Sequence, residues 1–80
     1  MDDMRQMIAD LIAAKTGKRP RNDQSWWELD IDSIAMAEMV HELEQRLSLR
    51  LNERVFETEN IDELAALIEQ LRESSAPKAQ

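Results

Sequence analysis

The sequence predicts an all-α fold: a small four-helix bundle with three main helices, one short third helix and a long first loop. Three observations carry that expectation. Apolar residues recur at the i, i+3, i+4, i+7 spacing of an amphipathic helix in three separate stretches, no stretch sustains the alternation of a strand, and a long polar segment separates the first helical stretch from the second. No internal repeat is present and nothing in the middle of the chain reads as a linker, so residues 1–73 are expected to form one domain, with 74–80 (SSAPKAQ) a disordered tail.

The first helix is expected over residues 3–15. Met4, Met7, Ile8, Leu11 and Ile12 share one face, and Asp2 and Asp3 put negative charge where the helix dipole favours it. Gly17, the only glycine, is placed to end it. Thr16 to Asp32 is polar and broken by Pro20, with Trp26, Trp27, Leu29 and Ile31 as its apolar content, which predicts a long loop pinned to the body by aromatic side chains.

The second helix should start near Asp32 or Ser33 and run to about Leu47, because Met36, Met39, Val40, Leu43 and Leu47 converge on one face. Arg54 to Glu59 is expected to form a brief third helix that carries Val55 and Phe56 inward. Asn60 reads as an N-cap, with Asp62 in an acidic first turn and Glu63 as capping-box partner, ahead of a final stripe of Ile61, Leu64, Ala65, Ile68 and Leu71.

Composition narrows the function. A chain of 80 residues buries only about 60% of the surface its unfolded form exposes, which disfavours a large enclosed active site. Without cysteine it can build neither disulfides nor a thiolate metal site, and His41 is the only imidazole. No apolar run approaches the roughly 20 residues of a membrane span, and the start MDDMRQM lacks the features of a secretory signal, so the expectation is a soluble cytoplasmic protein without a membrane partner. The net charge of −7 argues against nucleic acid and for partners with basic surfaces. The short basic run at Lys15, Lys18, Arg19 and Arg21 reads as a solvated loop without a function of its own.

The residue that calls for explanation is Ser33. A helical wheel places Ile34, Ala37 and His41 opposite the Met36, Met39, Leu43 face, with Glu38 and Gln45 beside them, so an isoleucine faces outward immediately after the serine. Three roles compete. Ser33 is a helix N-cap, although Asp32 one residue earlier can cap the same helix. Ser33 is a nucleophile, although His41 lies eight residues on, about 12 Å along the same helix, and no glycine elbow surrounds the serine. Or another enzyme modifies Ser33, at a helix start whose N–H groups and dipole suit an attached phosphate.

Trp26-Trp27-Glu28-Leu29-Asp30-Ile31-Asp32-Ser33-Ile34 resembles the phosphopantetheine attachment site of acyl and peptidyl carrier proteins, in which an aromatic and acidic stretch leads into Asp-Ser-Leu or Asp-Ser-Ile. The similarity continues through IAMAEMVHELEQRLSLRL and into IDELAALIEQL, from about residue 4 to residue 72. It implies a freestanding carrier that is not itself an enzyme. A phosphopantetheinyl transferase would use coenzyme A and Mg²⁺ to attach the arm to Ser33, next to the motif residue Asp32, and the arm would hold acyl or aminoacyl groups as thioesters. Ligases, synthases and transferases with basic docking patches would meet Ile34, Ala37, Glu38, His41, Glu42 and Glu44, transiently and with the carrier a monomer.

The resemblance also has departures. Asp30 and Ile31 stand where the family usually has glycine, which predicts a loop less free to adopt positive φ. His41 occupies a position that is often apolar in the family. The tandem tryptophans are closer to peptidyl-type carriers than to housekeeping fatty-acid carriers, which implies a specialised polyketide, nonribosomal peptide or modified-lipid pathway. The alternative from a different class is an acidic helical interaction module in which Ser33 is only a cap.

Overall fold

A computed structural model describes residues 2–75. Three α-helices make the body: α1 (Asp2–Thr16), α2 (Ser33–Leu47) and α3 (Ile61–Ser75), with short 3₁₀ helices at Trp27–Leu29 and Glu53–Glu57 in the connections. Of the 74–80 segment, Ser74 and Ser75 are the last residues of α3 and the remainder lies outside the described residues.

The apolar stripes meet in one core. Met4, Ile8, Leu11 and Ile12 of α1, Met36, Met39 and Leu43 of α2, and Ile61, Leu64, Ala65, Leu67 and Ile68 of α3 are buried, while Met7, Val40, Leu47 and Leu71 pack at its edge. Ala9 and Leu67, which lie off the simplest reading of the stripes, are buried as well. Among the described residues eight large side chains are essentially inaccessible, and burying each branched or thioether side chain contributes about 1.5–3 kcal/mol.

The helix ends have local causes. Gly17 takes φ 79° and donates its N–H to the Ala13 carbonyl at 2.8 Å, which closes α1 in a conformation that costs a glycine little. At α3 the Asn60 side chain accepts the Glu63 N–H at 2.9 Å, and the Glu63 carboxylate reaches back to the Glu59 N–H at 2.8 Å. This is the expected capping box with its return bond displaced one residue upstream.

Two expectations for the connections are corrected. The short segment after α2 is a 3₁₀ helix from Glu53 to Glu57, and it turns Val55 inward while leaving Phe56 52% exposed. At three residues per turn, neighbours in the sequence stand about 120° apart, and in this short segment, covered on one side only, the turn that points Val55 into the core carries Phe56 away from it. The tryptophan pair divides in the same way. Trp26 is 8% exposed and donates Nε1–H to the Thr58 hydroxyl at 3.2 Å, whereas Trp27 is 78% exposed. Of the two tryptophans, Trp26 is the one that pins the loop.

Trp26 also ties the long loop to the far end of the domain through its backbone. Its N–H donates to the Glu59 carbonyl at 2.9 Å, Ser25 forms an isolated antiparallel bridge with Asn60, and the Asp62 N–H donates to the Asn22 carbonyl at 3.2 Å. The segment before α2 is thereby held against the start of α3, and the direction from which the chain enters α2 follows from that anchorage.

Candidate functional site

From Trp26 the chain reaches α2 through a tight sequence of turns. The Leu29 and Ile31 N–H groups both donate to the Trp26 carbonyl, at 3.0 and 2.9 Å, and the Asp30 N–H donates to the Trp27 carbonyl at 3.2 Å. Asp30 sits in the left-handed region at φ 59°, ψ 34°. With an aspartate in place of glycine the loop is expected to be less free to adopt positive φ, and Asp30 nonetheless takes it. Aspartate is among the few non-glycine residues that enter this region, and the fixed hydrogen bonds on either side hold Asp30 there. Ile31 then packs half-buried against the core, and Asp32 is extended.

The cap of α2 is Asp32. Its carboxylate accepts the Ala35 N–H at 2.9 Å and its carbonyl accepts the Met36 N–H at 2.8 Å. That leaves Ser33 as the first helical residue, exposed to solvent, and among the described residues its hydroxyl has no hydrogen-bond partner. The Ser33 and Ile34 N–H groups have none among them either. An unengaged hydroxyl thus stands beside two unpaired amide donors at the positive end of a 15-residue helix, where negative charge is favoured.

The outward side of α2 carries the remaining candidate residues. Ile34 is 72% exposed, and Ala37, Glu38, His41 and Gln45 are exposed in line behind it, with the Gln45 Nε2 and His41 Nε2 atoms 3.1 Å apart. The acidic members are less free than a helical wheel implies. Glu38 lies 3.7 Å from the Lys15 ammonium, and Glu42 lies 4.0 Å from the same ammonium and 3.4 Å from Arg46. Glu44 is half-buried and accepts the Leu51 N–H at 2.8 Å, fixing the chain as it leaves α2.

Sequence reasoning missed two features of this region. Lys15, read as part of a solvated basic run, bridges α1 to the acidic side of α2, and its companions Arg19 and Arg21 pair with Asp10 and Asp23. No signal in the sequence marks a bridge between helices so far apart in the chain. Trp27, read as a loop anchor, is the most exposed of the large apolar side chains among the described residues. Its adjacency to Trp26 was the available clue, since consecutive residues entering a 3₁₀ turn diverge.

The described residues thus form a helical bundle that presents an exposed, unengaged hydroxyl at the start of α2. The chain belongs to the family described as phosphopantetheine attachment site, whose model matches residues 2–68. It is a carrier protein of that family, with covalently attached phosphopantetheine as its prosthetic group, and not an enzyme in its own right. Its partners include a phosphopantetheinyl transferase and biosynthetic enzymes. Comparison with curated proteins and with solved structures gives no match. Among the described residues no helix is long and apolar enough to cross a membrane.

Proposed function

We propose that Ser33 bears the phosphopantetheine group, with Asp32 as the adjacent motif residue, and that the protein holds acyl or aminoacyl intermediates for a specialised biosynthetic pathway. The observation that carries this reading is the division of labour at the start of α2. Asp32 supplies the cap at 2.9 Å, so the exposed Ser33 hydroxyl is available to an outside enzyme. The residues present suit the group. A phosphodiester on Ser33 would sit beside the unpaired Ser33 and Ile34 amides, and the exposed surface leaves room for a transferase.

During attachment the Ser33 oxygen forms a bond to the pantetheine-side phosphorus of coenzyme A, the pyrophosphate bond breaks, adenosine bisphosphate leaves, and the hydroxyl proton passes to the transferase or to water. When bound, the group supplies a terminal thiol that holds cargo as a thioester, which this cysteine-free chain cannot provide itself. The tether raises the effective concentration of cargo at each partner in turn.

For docking, Ile34, Ala37, Glu38 and His41 form the accessible part of the surface, and Glu42 and Glu44 add charge from groups already engaged in the fold. Basic residues on partners would compete with Lys15 for Glu38 and Glu42, and such rim charges act more on association rate than on affinity. The tandem Trp26-Trp27 supports a pathway of the polyketide, nonribosomal peptide or modified-lipid type, and the reading is of a cytoplasmic monomer. In the competing reading, an acidic interaction module, Ser33 would serve as the cap, and the Asp32–Ala35 bond weighs against that.

The test is intact mass after incubating the apo protein with coenzyme A, Mg²⁺ and a broad-specificity transferase. The expected result is a gain of one phosphopantetheinyl group, absent in Ser33→Ala. No gain, or a gain that persists in Ser33→Ala, overturns the proposal.

A further inference from the structure

The turns that lead into Ser33 hang from one peptide group. The Trp26 carbonyl accepts both the Leu29 and the Ile31 N–H, and Ser33 follows Ile31 by two residues, about 7 Å at full extension. Asp30, Ile31 and Asp32 include no glycine, so this stretch has little backbone freedom with which to absorb a displacement of Trp26. Asp30 is committed to the left-handed region and Asp32 to the cap of α2. Where the Trp26 carbonyl points therefore fixes where the serine stands.

Trp26 is itself held from a segment far along the chain. Its N–H donates to the Glu59 carbonyl at 2.9 Å, and its Nε1–H donates at 3.2 Å to the hydroxyl of Thr58, 32 residues away. The Thr58 hydroxyl carries one proton, which it donates to the Val55 carbonyl at 2.7 Å, leaving an oxygen lone pair for the indole. An indole N–H can only donate, so the pair forms in one sense alone, and the run from indole to hydroxyl to carbonyl polarises each bond within it. Val55 is buried in the 3₁₀ helix that packs on α2. The contacts thus pass from α2 through Val55, Thr58 and Trp26 and return to the start of α2.

We infer that Thr58 is a positioning residue for the modification of Ser33, acting through Trp26; the inference rests on the proposed attachment at that serine. The Thr58 hydroxyl holds the indole, the indole and the Glu59 carbonyl fix the Trp26 peptide, and that peptide aims the serine. Attachment needs the Ser33 oxygen to approach the pantetheine-side phosphorus opposite the bond to the departing adenosine bisphosphate, while its proton passes to the transferase or to water. Such in-line displacement is steeply sensitive to placement, and a shift of about 1 Å is enough to cost on the order of a hundredfold in rate. The outward residues of α2 sit on a regular helix and do not depend on Thr58 for their spacing. Loss of the Thr58 hydroxyl should therefore slow the transfer step and leave docking nearly as it was, a fall in kcat with KM for the carrier little changed.

The test follows the rate of mass gain of the apo protein with coenzyme A, Mg²⁺ and a broad-specificity transferase, as a function of carrier concentration. Thr58→Val keeps the shape of the side chain and removes the hydroxyl; kcat is expected to fall about tenfold with KM within about threefold, and Thr58→Ser, which restores the acceptor, should recover the original kcat. Trp26→Phe deletes the indole N–H and should lower kcat in the same way. Because both changes remove one bond, the double variant should be no slower than the slower single variant. Ile68→Val, a change in the core of α3, controls for lost stability alone and should leave kcat unchanged. Backbone amide shifts should move at Ile31, Asp32 and Ser33 in Thr58→Val and stay in place in Ile68→Val. If Thr58→Val fails to fold, Trp26→Phe against Ile68→Val carries the comparison. The inference is overturned by an unchanged kcat in Thr58→Val or Trp26→Phe, by an equal fall in Ile68→Val, by a Thr58→Ser protein as slow as Thr58→Val, or by losses that multiply in the double variant. In each of those cases a complete mass gain at Ser33 leaves the attachment standing, whereas no gain in the unaltered protein overturns both.

Discussion

The Asp32 carboxylate accepts the Ala35 amide hydrogen at 2.9 Å, spanning Ser33 and relieving it of any capping duty. Removing that acceptor should be felt in stability, and removing the serine oxygen should not. Asp32→Ala is expected to cost about 1 kcal/mol, or roughly 4–8 °C in Tm for a domain of this size, whereas Ser33→Ala stays within about 0.5 kcal/mol. Urea unfolding of both variants checks this. A larger loss from Ser33→Ala than from Asp32→Ala would return the serine to a purely structural role.

Asp30 at φ 59° offers a second test two residues upstream of that cap. Glycine relaxes the left-handed conformation and a β-branched residue aggravates it. Asp30→Gly should therefore raise the unfolding midpoint, by up to about 1 kcal/mol, and Asp30→Val should lower stability by about 1–2 kcal/mol. Equal midpoints for the two variants would mean that the loop reaches α2 by another path.

The two tryptophans should behave as opposites. Trp26→Ala empties a buried site and abandons the bond to Thr58, at a cost of about 3–5 kcal/mol, and Trp27→Ala, at 78% exposed, should change stability by less than about 0.5 kcal/mol. Fluorescence separates them directly. In Trp27→Phe the remaining emission should be blue-shifted and weakly quenched by acrylamide, while in Trp26→Phe it should be that of a solvated indole. Similar quenching in both would contradict the division.

Glu44 and Glu38 share a helix but not a role. Glu44→Ala leaves the Leu51 N–H without its acceptor and should cost about 1–3 kcal/mol, with Glu44→Gln recovering most of the loss because the amide oxygen still accepts. Glu38→Ala removes one exposed ion pair to Lys15 and should cost less than about 0.5 kcal/mol. Chemical denaturation of the three variants decides it, and a Glu38→Ala loss matching that of Glu44→Ala would show that the Lys15 bridge holds the helices together.

How much of this was legible beforehand follows the range of the forces involved. The periodicity of Met4, Ile8, Leu11 and Ile12, of Met36, Met39 and Leu43, and of Ile61, Leu64 and Ile68 is a local property, so three helices and their buried faces could be read from spacing alone. The caps at Asn60 and Asp32 and the stop at Gly17 depend on residues within four positions and were equally open to inspection. The Asp-Ser step at the head of α2, and the likeness it carries, belong to the same level.

Which member of each pair, Trp26 or Trp27 and Val55 or Phe56, faces the core, that Lys15 reaches Glu38 and that Glu44 is spent on Leu51 could not be settled that way. Each depends on where a distant segment comes to rest: Trp26 against Glu59 and Thr58, α1 beside α2, the chain folding back after α2. Helix spacing and capping are encoded within a few residues, and so the amino-acid order alone determines them. The bond from Trp26 to Thr58, and the freedom of the Ser33 hydroxyl in the company of its neighbours, arise only when separate elements pack, because packing alone decides which side chains complete one another and which are left facing water.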